Sequence, residues 1–266
     1  MKRMYLGLVI VAMWASPLLA SDRLTDKDVK SLVEKIDDGR SKFKDGLDDD
    51  FKKSIRRGPS GEVNVAKYLD DFKESIEKLK DRLKPEYAAS AEVASVLRLG
   101  SGIDRAFAKD LAGQKGQSEW NRLAGDLKTL AAAYGADFPL AEGATVRRVG
   151  DKELTGIVEQ VGKGAEGLKK SLDNDLKKDA SVDKAARDGV IHDADQCSKD
   201  AKTLRDRIKD ASPSSAEADK LLVCMARVQT FLDSHKAPAS TSAFNALAPR
   251  FEDIAGAYRT SWPGAK

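Results

Sequence analysis

The chain has 266 residues, and its 46 Lys and Arg stand against 43 Asp and Glu, with two of the cations, Lys2 and Arg3, in a leader-like start. A near-neutral chain with both signs mixed at helical spacing lacks the basic face that nucleic acid demands, so no nucleic-acid partner is expected. Charged residues make up 33% and hydrophobic ones 41%, enough apolar content for a packed core and against disorder.

Residues 1–20 read as a signal peptide. Lys2 and Arg3 form the basic start, Tyr5 to Trp14 the apolar run, and Pro17 precedes small Ala20, followed by Ser21. The run is shorter than the about 20 residues that cross a bilayer, and no later run approaches that length. A soluble exported protein, periplasmic or extracellular, is therefore expected after cleavage, with no transmembrane segment. Leu18 is large for a position two before the cut, which leaves an uncleaved N-terminal anchor as the alternative. No cysteine stands at the cut, against a lipid-anchored lipoprotein.

The rest of the chain is written twice. Asp26, Lys27, Asp28 and Val29 recur as Asp151, Lys152, Glu153 and Leu154, and Leu79 to Lys84 recur as Leu204 to Lys209, both at an offset of 125. Roughly 20 identities fall over about 70 aligned positions without a gap, the mark of a tandem duplication. The boundaries read as 21–140 for the first copy and 149–266 for the second, joined through Leu140 to Val149.

Each copy divides into four helical stretches. The first carries Val29, Val33, Ile36, Phe43, Leu47 and Phe51, mirrored by Leu154, Val158, Val161, Leu168, Leu172 and Leu176. It predicts a helix of about 30 residues, some 45 Å long. In the second stretch Val65, Leu69, Phe72, Ile76, Leu79 and Leu83 step alternately by four and three, and Val190, Ala194, Cys197, Ala201, Leu204 and Ile208 repeat the steps. That spacing is a bundle seam. The third carries Val96, Leu97, Ile103 and Phe107, mirrored by Leu221, Leu222, Val228 and Leu232. In the fourth, Trp120, Leu123, Leu127, Leu130 and Tyr134 are answered at an offset of 124 by Phe244, Leu247, Phe251, Ile254 and Tyr258. Breaks fall at Gly58 to Gly61, at Pro85 or Pro213, at Gly113 to Ser118 and at Ala237 to Ser242, and no stretch reads as a strand. The expected fold is all-α, a tandem pair of up-and-down four-helix bundles, with a single eight-helix solenoid as the alternative. The short join allows the second copy's first helix to run on nearly straight from the first copy's fourth.

A glycine interrupts the first stripe at the same place in both copies, Gly39 and Gly164. A mid-helix glycine costs about 1 kcal/mol against alanine, so its recurrence points to close packing against a bulky neighbour such as Trp120 or Phe244, with a helix bend or a ligand approach as the alternatives. Only the second copy has cysteines. Cys197 takes the slot of Phe72 and Cys224 that of Leu99, on consecutive helices, which in an oxidising compartment favours a disulfide. Closing that loop contributes roughly 3.5 kcal/mol in the chain-entropy model.

Chemistry is harder to find. No CxxC or CxxCH occurs, and zinc held by Cys197, Cys224, His192 and His235 fails because His192 and Cys197 are five apart on one helix. A haem on His192, His235 or Met225 has no counterpart in the His-free first copy. The Asp45 to Asp50 cluster lacks calcium-loop spacing and reads as a solvated face paired with Lys52 and Lys53. With no di-iron Glu-x-x-His motif, triad or phosphate loop, no catalytic, cofactor or metal site is expected. The reading that remains is a non-catalytic exported protein that binds a protein or cell-envelope partner, with Trp120, Phe244, Phe138 and Trp262 as candidate contact or core aromatics. The alternative is a ligand, lipid or haem carrier with its site inside one bundle.

Overall fold

The computed structural model describes residues 23–58, 61–111, 115–177, 179 and 181–264. The leader expected over residues 1–20 lies outside them. Nine α-helices occur among the described residues, with one short hairpin and a 3₁₀ turn, so the fold is all-α.

The first copy comprises α1 (Asp26–Asp45), a single turn α2 (Asp49–Lys52), strands β1 (Ile55–Gly58) and β2 (Gly61–Asn64), α3 (Val65–Arg82), α4 (Ser90–Phe107), the 3₁₀ turn Ala108–Leu111 and α5 (Lys115–Ala133). The second comprises α6 (Asp151–Leu176), α7 (Lys184–Lys209), α8 (Ser215–Ser234) and α9 (Pro238–Ala257). In each copy the four long helices adjoin in a closed ring: α1 with α3, α3 with α4, α4 with α5 and α5 with α1, and likewise α6 through α9.

Each ring encloses its own core. Val29, Val33, Ile36, Phe43, Leu47 and Phe51 are all buried in one, and Leu154, Val158, Val161, Leu168, Leu172 and Leu176 in the other. Every position of the alternating four-and-three seam from Val65 to Leu79 and from Val190 to Ile208 is buried as well. An amphipathic helix finds its partners by hiding such a stripe, so the sequence period dictates which face turns inward.

Three features depart from the sequence reading. The first helix of the first copy is 20 residues rather than about 30. It stops at Gly46, which caps it and lies against the backbone of Gly116 in α5: a methyl on Gly46 would sit 3.2 Å from the Gly116 Cα, and one on Gly116 would run into the Leu47 side chain. The second copy has Ser171 at the equivalent position, and α6 runs on for 26 residues.

A hairpin then stands where no strand was expected. Ile55, Arg56 and Arg57 pair antiparallel with Asn64, Val63 and Glu62. Strands of four residues are too short for apolar alternation to show, and Gly61, at φ +120°, supplies a turn conformation that favours glycine. Asn64 then caps α3 by accepting from the Lys67 amide at 3.0 Å. In the second copy the corresponding cap, Asp183, comes earlier and α7 gains its first turns from the segment that forms the hairpin in the first.

The copies are also not joined by a straight helix. Residues 134–150 form an irregular connection that is docked rather than loose: Ser101 Oγ receives the Leu140 amide at 2.6 Å, Arg105 donates to the Leu140 carbonyl at 2.8 Å, and the Arg147 amide donates to the Tyr134 carbonyl at 3.0 Å.

Cys197 on α7 and Cys224 on α8 are fully buried at disulfide-forming distance, with Cα atoms 5.6 Å apart and a sequence separation of 27. Oxidised protein is expected to have an intact mass two hydrogens lower than the reduced form. Reduction is expected to lower the stability of the second copy by up to about 3.5 kcal/mol in calorimetry with and without reductant. Equal unfolding curves would show that the link adds nothing.

Candidate functional site

The residues singled out by sequence fall largely inside the two cores. Gly39 faces Leu123, and Gly164 faces Leu247, the equivalent leucine of the second copy, rather than Trp120 or Phe244. The contact is ordinary at Gly39, where an added methyl would lie 3.4 Å from Leu123, whereas at Gly164 it would run into the Leu247 side chain. Leu247 thus occupies the space through which a ligand would approach Gly164.

Trp120 is 2% exposed, packs at 5.3 Å on Phe43 and donates from its ring nitrogen to Asp104 at 3.1 Å. Phe244 and Trp262 flank Phe251 at 5.4 and 4.8 Å and are buried. Phe138 is half-buried, with its ring against Gly100. Trp120, Phe244 and Trp262 belong to the buried cores, and Phe138 packs at the edge of one. His192 is exposed on α7, His235 stacks on Phe231 at 4.0 Å, and Met225 is fully buried. Among the described residues no group of three His, Cys, Asp or Glu is placed to hold a metal ion.

What the sequence reading missed is the junction between the copies. Helices α1 and α6 start face to face, and the first residue of each caps the other: the Asp26 amide donates to the Asp151 carboxylate at 2.7 Å and the Asp151 amide to the Asp26 carboxylate at 2.9 Å. The second oxygen of each carboxylate takes an arginine. Arg23 donates to Asp151 and also to the Val149 carbonyl at 2.5 Å, while Arg148 donates to Asp26 at 2.7 Å. The arginine side chains are only 6% and 3% exposed. Arg23 and Arg148 are themselves 125 positions apart, as are Asp26 and Asp151. That shared offset was the available signal.

Two tyrosines close the junction from behind. Tyr134 donates to the Ala88 carbonyl at 2.5 Å, and the Tyr258 and Ser214 hydroxyls lie 2.8 Å apart. Burial pushes the Tyr134 hydroxyl up to about 12 and raises that of Tyr258, so Tyr134 stays protonated as the donor to Ala88 through the neutral range.

Away from the junction the copies carry different surfaces. At the far end of the first copy the hairpin is anchored by Arg56, which lies 4.7 Å over the Phe51 ring and pairs with Asp110 at 3.4 Å. The other strand face turns outward: Ile55 is 63% exposed, between exposed Lys53 and Arg57, neither of which is ion-paired among the described residues. At the far end of the second copy an open pocket of about 650 Å³ is lined by His235, Lys236, Pro238 and Asn245 at the α8–α9 turn.

No protein-family model matches the chain, and no match is found among curated proteins or solved structures.

Two outcomes test this geometry. Gly164→Ala is expected to destabilise by about 1–3 kcal/mol through overpacking, while Gly39→Ala gains up to about 1 kcal/mol of helix propensity. Equal effects in urea unfolding would show that Leu247 moves aside freely. Asp26→Ala or Asp151→Ala is expected to cost about 3 kcal/mol, since each removes a helix cap and strands a buried arginine. The double substitution should cost less than the sum, and strict additivity in the same unfolding measurement would mean the two carboxylates act independently.

Proposed function

We propose that this is an exported, non-catalytic helical protein that binds a protein or cell-envelope partner, and that the hairpin of the first copy is its contact point. The carrying observation is the exposure of Ile55. A large apolar side chain on an anchored strand, flanked by two cations that form no ion pair among the described residues, contributes nothing to either core. Clustered apolar and cationic groups that a fold does not use internally are the usual makings of a recognition surface.

The duplication supports the same assignment. Features common to both copies, the stripes, the paired glycines and the junction, build the scaffold. Among the described residues the hairpin belongs to the first copy alone, and its second strand, Gly61–Asn64, stands where the other copy forms the first turn of α7. Export is supported by the leader-like composition of residues 1–20 and by two cysteines at disulfide-forming distance, a pairing that persists in oxidising compartments.

A photo-crosslinking residue placed at Ile55 in the protein in its native compartment is expected to give a discrete covalent adduct. The same residue at Val223, 49% exposed on α8, serves as the comparison and is expected to give none. Adducts of equal yield from both positions, or none from Ile55, would remove the hairpin from the function.

A further inference from the structure

We infer that the junction face of each copy is self-complementary, so that its natural partner is a second copy of the same repeat, and that the chain is a symmetric dimer whose two halves have been joined end to end. The interaction is reciprocal at every level. Asp26 caps the helix of Asp151 and Asp151 caps that of Asp26, at 2.9 and 2.7 Å. Arg23 reaches across to Asp151 as Arg148 reaches across to Asp26. In a two-fold interface residue i touches j and j touches i, and a residue near the axis touches its own equivalent. Asp26 and Asp151 are such equivalents.

The surroundings keep the symmetry. Tyr134 lies near Arg148 and Asp26, and Tyr258 near Arg23 and Asp151. Ser90, which receives the Arg148 amide at 3.4 Å, is again serine at Ser215. A first copy facing another first copy would therefore meet an aspartate, an arginine, a tyrosine and a serine in the places where it now meets those of the second. The cores raise no obstacle, since residues of the first copy make up one buried cluster and residues from Val149 onward the other.

One contact breaks the symmetry and ranks the pairings. Lys152 reaches Glu86 at 3.2 Å, but the position equivalent to Glu86 is Ala211. A pair of first copies brings two lysine–glutamate contacts of this kind, with Lys27 in the place of Lys152, and a pair of second copies brings none. Both charges are well exposed, so the preference for the first-copy pair is modest.

The test uses the whole chain with one bond cut. A protease site is placed at Gly143, in the exposed stretch 141–145, and the folded protein is cleaved so that the two halves remain paired through the junction. Isotopically heavy and light preparations are mixed, and urea is raised until heavy and light mixed pairs scramble, which certifies that halves part and re-form. After dilution native mass spectrometry is expected to show first-copy pairs and second-copy pairs beside the mixed pair, the first-copy pair the more abundant of the two. Arg23→Ala should deplete the first-copy pair, which loses both of its arginines, more than the mixed pair, which loses one, and leave the second-copy pair unchanged. Scrambled mixed pairs without either like-with-like mass, or halves that return only as single copies, would overturn the inference.

Discussion

Two helices that start face to face turn two positive dipole ends and their first amides, Asp26 and Asp151 among them, toward one another, and the relation between the copies depends on how that conflict is resolved. Carboxylates are the natural remedy, because they accept from the amides and carry the opposite sign. Asp26 and Asp151 supply one each, crossed so that each serves the other helix. Two carboxylates brought this close would repel, and the arginines restore the balance. Each guanidinium enters nearly out of contact with water, which is tolerable only because a carboxylate stands at its end. Aspartate, arginine and helix start thus require one another, and removing any one leaves a charge or a donor without compensation.

With that end held in common, the two rings solve the packing problem differently. In the second copy the α6–α7 face is built of small residues: Gly162, Ala165, Ala194 and Ala201 stand where the first copy has Asp37, Arg40, Leu69 and Ile76. Helices bearing small side chains approach closely, and Gly162 lies directly over Ala201. There Cys197 and Cys224 stand at disulfide-forming distance between α7 and α8. The first copy fills the same region with long side chains. Asp37 takes hydrogen bonds from Arg40 at 2.9 Å and from Lys80 of α3 at 2.7 Å. Burial pushes the Asp37 carboxyl up, but these two bonds outweigh it and hold it below its usual range. Arg40 is 8% exposed, held by one carboxylate at one end. One repeat has two internal economies, aliphatic and small in one case, long and ionic in the other.

How much of this was legible follows from the length scale of each signal. The stripes from Val29 to Phe51 and from Val190 to Ile208 persist for several turns, and a period of that length survives any local irregularity. The cysteine pairing was legible because the duplication assigned both residues to known slots, Phe72 and Leu99. The hairpin was not, because Ile55 and Val63 offer one β-branched residue per strand and no alternation to count. The early end of α1 was not, because it depends on the Gly46–Gly116 crossing, a contact between residues 70 positions apart that no local pattern encodes. The aromatics were read as open to either role, and burial of Trp120, Phe244 and Trp262 assigns them to packing.

The junction teaches a different lesson about repeats. Identities between copies are usually taken as core positions, yet Asp26 and Asp151 are partly exposed residues at helix starts, where internal packing gives no reason for retention. Their partners explain them: each residue is retained in one copy because of what it touches in the other. Helices that begin at a common junction also carry their variable ends away from it. The hairpin after α1, which has no counterpart among the described residues of the second copy, lies at such a remote end. Divergence there leaves the junction undisturbed, so one copy can change at its remote end without loss of the reciprocal caps and arginine pairs that join both.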